Sequence, residues 1–232
     1  MGASDAVDQT GTGGYDSTQP PVPAPGRSEG GASGERLVLF TDAVTAISIT
    51  LLILPLIDLV PEAVSAHQQA SEVFTGHLDQ IWSFLLSFAV IANIWREHHR
   101  TFSSVARVTR SLMVWNMGWL LSVVVLPLPT EMIGAFGRNR FAAAFYYTVL
   151  LASMVCRLAM LRILKTTPGL VEGDGEEGRR RIKDLYTVSY LNVLLLVLAL
   201  VLALAVPVLQ YYSLLLLVLP RRTFLRGRRG AR

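Results

Sequence analysis

Residues 36–58 read RLVLFTDAVTAISITLLILPLID, an apolar run long enough to cross a bilayer that still holds an acid and several hydroxyls. A hydrocarbon core of about 30 Å takes roughly 20 helical residues. Ionisable groups inside such a helix are costly and concentrate where a membrane protein does its work. A plain anchor has no use for Thr41, Asp42, Ser48 and Thr50, so this stretch is the first candidate for function.

Outward from that run, the composition has the same character. Of the 232 residues 52% are hydrophobic and 16% charged, with a mean hydropathy of +0.45. Soluble domains carry about 25% charged residues, so lipid is the expected solvent. Apolar blocks at 37–60, 78–95, 112–130, 141–163, 185–206 and 208–219 predict six spans. Backbone amides in hydrocarbon must pair within their own segment, which selects helices, and the Leu and Val runs lack the alternation of a membrane barrel. The expected fold is an all-α integral membrane protein, a six-transmembrane-helix bundle. The last two blocks are read as a hairpin because 185–219 as one helix would reach about 52 Å. Pro207 removes a backbone donor there, Gln210, Tyr211 and Tyr212 suit an interfacial turn, and Arg221 and Arg222 can snorkel from a short sixth helix.

Charge sets the expected topology. With six spans and a cytoplasmic N-terminus, 19 of the 21 Lys and Arg residues fall on the cytoplasmic side, leaving Arg138 and Arg140 outside. This count takes Arg157 together with the basic residues up to Lys183. The localisation expected is the cell membrane, multi-pass, with both termini cytoplasmic. The basic balance then serves topology and the anionic inner leaflet, and a nucleic-acid partner is not expected. Residues 1–34, rich in Gly, Ser, Thr and Pro, predict a disordered cytoplasmic tail with no signal peptide. A six-helix transmembrane domain is expected over 35–220, interrupted by a flexible cytoplasmic linker at 166–181, with a basic cytoplasmic tail at 221–232. Cys156 is the sole cysteine, so no disulfide framework exists.

The polar residues inside the spans have competing readings. Ile47, Leu51 and Leu54 share one stripe of the first helix, with Thr50 beside them and Asp58 a turn beyond; such a stripe ordinarily faces lipid or a neighbouring helix. Asp42, Thr45 and Ile49 share another stripe. Asp42 is either an N-cap, since Thr-Asp is good capping chemistry, or a buried acid with a partner. The second span ends in WREHHRTF, where His98 and His99 point to different faces. No third or fourth ligand accompanies them, so a metal site is not expected. One of these histidines is a natural partner for Asp42, and the alternative is an interfacial cluster facing water. Asn116 is either a member of the same cluster or simple interhelical glue, and Pro127 and Pro129 are either outer-end residues whose lost hydrogen bonds neighbouring groups absorb or a helix stop.

Three of these motifs in this order resemble the transmembrane protein 175 channels. The first run resembles that family's Arg-x-x-x-Phe-Ser-Asp helix with its following Ala-Ile and Thr-Leu, WREHH resembles the Trp-x-x-His-His ending of its second helix, and 116–130 resembles its third, which ends Leu-Pro-Phe-Pro-Thr. The resemblance covers the first three spans closely and the rest by hydropathy alone. It implies a potassium-permeable cation channel, in a family whose human lysosomal member also passes protons. It further implies a homotetramer in the bilayer, with the pore formed by oligomerisation around helix 1 and no TVGYG filter, a motif this chain also lacks. By similarity Ile47, Leu51 and Leu54 form apolar rings, with Ile47 narrowest, and Thr50 offers hydroxyl oxygens to the ion. Arg36, Thr41, Asp42, Trp95, His98, His99 and Asn116 form the supporting polar network. Asp58 either stands near the pore mouth, where four copies would raise the local cation concentration, or simply caps the span end. Two departures stand out: the family's serine is Thr41 here, and an acidic residue often found after the Leu-rich run is Pro55.

The mechanism this implies is passive conduction through a hydrophobic constriction that closes by dewetting. No cofactor is expected beyond the permeating potassium ion, no small-molecule substrate, and no enzymatic activity, since no nucleophile, metal set or phosphate loop appears. The alternative is a proton-coupled secondary transporter or proton leak pathway using Asp42 and a helix 2 histidine.

Overall fold

The computed structural model describes residues 29–205 apart from 104, 138, 168 and 172–174, with the side chains of 29–33, 203 and 205 excepted. Eight helices occur among the described residues: α1 Glu29–Leu51, α2 Leu54–Ser65, α3 Ala70–Gly76, α4 Leu78–Phe102, α5 Arg110–Val125, α6 Pro127–Phe136, α7 Arg140–Thr166 and α8 Glu176–Ala205. α1 with α2, and α5 with α6, each form one broken span. Five stretches are thereby long and apolar enough to cross a membrane: Gly34–Ser65, Leu78–Phe102, Arg110–Phe136, Arg140–Thr166 and Glu176–Leu202. The expected sixth span at 208–219, Pro207 and both far tails lie outside the described residues.

The breaks have a common cause. In span one the helix tightens at Leu52 and Ile53, whose amides reach back three residues to Ile49 and Thr50, and Pro55 cannot donate to the Leu51 carbonyl. In span three the Leu126 amide reaches back to Val123 just before Pro127, and the helix then resumes to Phe136. Of the two readings of the prolines at 127 and 129, the helix stop is therefore excluded. Proline is well accommodated in a first turn, where its missing N–H would be unpaired anyway. The true stop is Gly137, in the positive-φ region at +60° that favours glycine.

Side-chain caps start the neighbouring helices. Thr109 Oγ1 accepts from the Leu112 amide at 3.2 Å, and Asn139 Oδ1 accepts from Phe141 at 2.8 Å. The core lies between α4, α5 and α7, with Ile91, Leu112, Trp119, Tyr146, Leu150 and Met160 essentially inaccessible. In lipid, helices associate through close packing at small residues rather than through a hydrophobic drive. Gly118 follows that rule, since a Cβ there would meet Cys156 Sγ at 3.1 Å across α5 and α7. Gly134 on α6 follows it more severely, with Ser83 Oγ at 2.8 Å and Gln80 Cα at 3.2 Å on α4.

At the end of the bundle holding Arg36, Arg100, Arg110 and Lys165, here termed the basic end, three sequence expectations are corrected. Residues 29–34, expected within a disordered tail, continue α1, and Gly34 sits so close to the Val105 carbonyl that a Cβ would approach it to 3.2 Å. The stretch read as a flexible linker, 166–181, is structured at both ends: Thr166 closes α7 and Glu176 opens α8. Between them Leu170 is buried, its carbonyl accepts from the Ala106 amide at 2.8 Å, and Val171 bridges Val105. Arg157, counted with the loop charges, lies inside α7 and is buried.

Candidate functional site

α1 is an inside-out helix by the standards of water-soluble proteins. Its buried stripe is Gly34, Leu37, Thr41, Thr45, Ser48 and, past its end, Leu52, at steps of three or four residues. The hydroxyls on that stripe are satisfied without water: Thr45 Oγ1 donates to the Thr41 carbonyl at 2.8 Å and Ser48 Oγ to the Val44 carbonyl at 2.9 Å. The other side of the helix is apolar and open. Ile47 is 60% exposed, Leu51 39% and Leu54 47%. Leu54 opens α2 beyond the break, so its register with Ile47 and Leu51 is set by the Leu52–Ile53 turn and not by one continuous helix. Thr50 is exposed beside them and donates its hydroxyl hydrogen to the Ile47 carbonyl at 2.7 Å. That bond uses up the donor and leaves the oxygen lone pairs free to accept or to ligate a cation.

Asp42 sits in the middle of α1, which excludes the N-cap alternative. Its carboxylate is gripped from α4. Trp95 Nε1–H donates to Oδ1 at 2.8 Å and His99 Nδ1 lies 3.0 Å from Oδ2, with the Trp95 and His99 rings packed together at 5.6 Å. One residue back along α1 and α4, a second chain of bonds ties three helices. His98 Nε2–H donates to Asn116 Oδ1 at 2.8 Å, and Asn116 Nδ2–H donates to Thr41 Oγ1 at 3.0 Å. His98 and Asn116 are both buried, and the imidazole is sandwiched between Phe102 and Trp119 at centroid distances of 4.4 and 4.0 Å. A buried polar group is tolerable only with such partners.

Of the seven residues expected in the polar network, six therefore meet: Thr41, Asp42, Trp95, His98, His99 and Asn116. Arg36 is exposed on α1 and joins none of these bonds. Asp58 is exposed on α2 and borders a cavity of about 200 Å³ together with Glu62, Gln80, Thr130 and Glu131. Among the described residues no group of three His, Cys, Asp or Glu side chains could hold a metal ion.

Sequence reasoning missed one participant. Arg157 Nη1–H donates to Glu97 Oε2 at 2.6 Å, joining α7 to the segment of α4 that carries Trp95, His98 and His99. The usable signal was a lone arginine inside the apolar run MVCRLAML, which needs an acid nearby.

Residues 36–127 match the family model described as endosomal/lysosomal potassium channel TMEM175. That range contains every residue of the network and of the exposed stripe. A protein of Chamaesiphon minutus named as a potassium channel is 36% identical over 139 residues, covering 56% of this chain and 64% of that one. A potassium channel of Streptomyces collinus is 37% identical over 121 residues, covering 50% and 57%. The chain thus spans a little under two thirds of these curated relatives. The human endosomal/lysosomal proton channel TMEM175 is 33% identical over 115 residues, covering 46% of this chain and 22% of that one. In fold, the crystal structure of a lysosomal potassium-selective channel TMEM175 homolog from Chamaesiphon minutus superposes with a TM-score of 0.69 at 24% identity, over 81% of this chain and 95% of that one. Over residues 36–127, which hold its first three spans, the chain is similar to the TMEM175 family.

Proposed function

We propose that the protein is a potassium-permeable cation channel in which four copies bring α1 together around a central axis. The observation that carries this reading is the two-sidedness of α1. Its hydroxyl stripe is consumed inside the subunit, while Ile47, Leu51 and Leu54 stand uncovered on a helix locked in place by Asp42. A locked helix with an uncovered apolar stripe is suited to line a narrow path shared between copies. The names of the bacterial relatives support potassium as the ion.

In this scheme Ile47 forms the narrowest ring, and the ring from Leu51 lies about 6 Å further along the axis. Rings of this kind close by expelling water rather than by filling the path. The Thr50 oxygens, with their hydrogens turned to the Ile47 carbonyl and their lone pairs free, compensate a partly dehydrated cation between the two. The membrane orientation follows the positive charge, with the basic end of the bundle in the cytoplasm. The proton-relay alternative draws on the Asp42–His99 contact, but that contact faces α4 and lies away from the uncovered stripe.

The test is Ile47→Asn in the full-length protein in liposomes. An amide in the ring wets the constriction, so passive potassium flux rises by about tenfold or more, which corresponds to a barrier change of about 1.4 kcal/mol. An unchanged flux would remove Ile47 from the pathway.

A further inference from the structure

The contact between buried Arg157 and part-exposed Glu97 ties α7 to the segment of α4 that carries the network, yet it has no part in the conduction proposed above. Arg157 has 8% of its surface accessible, deep in α7, and its Nε has no partner among the described residues. It meets Glu97 through one nitrogen, Nη1, at 2.6 Å. Glu97 falls within the five residues 95–99 in which α4 holds its neighbours on other sides. Trp95 and His99 hold Asp42 of α1, and His98 holds Asn116 of α5. α4 is thereby a spindle, gripped by α7 on one side and gripping the pore helix on another. Taking a guanidinium out of water into the bundle is expensive, and breaking such a pair leaves an uncompensated buried charge. A single stable geometry of α4 relative to α7 is what that cost secures.

We propose that Arg157 and Glu97 are positioning residues for conduction: they fix the rotation of α4 about its axis, and so the Trp95 and His99 atoms that hold Asp42 and the setting of α1. The pair never touches the ion. It acts through Asp42, more than one helix away, because α4 makes both contacts: Glu97 to Arg157 on α7, and Trp95 and His99 to Asp42 on α1. This inference rests on the channel reading above.

The coupling makes it testable. Potassium flux is measured on the full-length tetramer in liposomes for the wild type, Arg157→Met, Arg157→Lys, Asp42→Asn and the double variant Arg157→Met with Asp42→Asn. Arg157→Met keeps the length and loses the charge, frees α4, and raises flux by about threefold or more. Arg157→Lys restores wild-type flux, since one ammonium can supply the single N–H···O bond that Arg157 makes. In the Asp42→Asn background, Arg157→Met adds little, because the link it acts through is already weakened. A methionine effect that persists undiminished in that background would overturn the proposal, and so would methionine and lysine variants that both match the wild type. Should Arg157→Met fail to fold, Glu97→Gln takes its place with the same expectations. Failure of both to give folded tetramer, with Arg157→Lys intact, would make the pair a folding requirement and overturn the positioning role. A wild type that passes no potassium is a different failure, since it removes the channel reading itself.

Discussion

At the scale of single residues, the account rests on where hydrogen-bonding capacity is spent. Thr41, Thr45 and Ser48 spend theirs inside the subunit, and Asp42 spends both carboxylate oxygens on α4. Asp42→Ala deletes two bonds to a charged acceptor and orphans the Trp95 N–H and His99 Nδ1. It should cost about 2–4 kcal/mol, judged from bonds to charged groups at 1.5–3 kcal/mol each with discount for partial exposure. The expected outcome is a lower thermal midpoint and less tetramer in gel filtration, with ion preference unchanged in whatever tetramer survives. A normal tetramer with altered preference would instead put Asp42 in the ion path. Much of this was legible beforehand. An acid in an apolar run demands a partner, and two adjacent histidines at the end of the next span can face two different helices at once. Arg157 was not legible in the same way, because a cation approaching the end of a span reads equally well as a topological charge. Only the ion pair from α7 to α4 shows that it points inward to Glu97.

At the scale of elements, hydropathy located the spans but not their interruptions. Pro55 announced a kink, yet the tightened turn at Leu52–Ile53 that separates Leu51 from Leu54 is a matter of backbone geometry. Pro127 and Pro129 looked like an ending because proline cannot receive the helix on its N-terminal side, although it opens α6 without penalty. The start of α8 was hidden for a related reason. Its first turns, Glu176–Lys183, are charged and carry no apolar periodicity, so they resemble a solvated loop until α8 is seen packed on α7, with Lys165 over the Tyr186 ring at 4.5 Å. The contact between α6 and α4 supplies the prediction for this scale. Gly134→Val would drive a branched side chain into Ser83 and the Gln80 backbone. Overpacking of that kind costs about 1–3 kcal/mol, so the thermal midpoint should fall and the outer half of span three should become more open to protease. A variant as stable as the wild type would mean that α6 does not press on α4 as the structure has it.

At the scale of the whole molecule, the bundle divides its two faces of α1 between two tasks. Inside the subunit, the network from Thr41 to Asn116, extended by Glu97 and Arg157, holds the helix; outside, the stripe is uncovered, and the proposal gives it to other copies. Neither side alone makes a path for ions, which is why the assembly is part of the function proposed. The loops at the basic end add a further tie, since Ala106 pairs with Leu170 and Val105 abuts Gly34 at the start of α1. The most direct test of the central claim is cation flux through the purified, full-length protein in liposomes, first along a potassium gradient and then along a matched sodium gradient, with no proton or sodium gradient in the first case. The account predicts flux that follows the potassium gradient by itself and exceeds that for sodium. Folded tetramer that moves neither cation, or moves potassium only when a proton gradient is imposed, would contradict it.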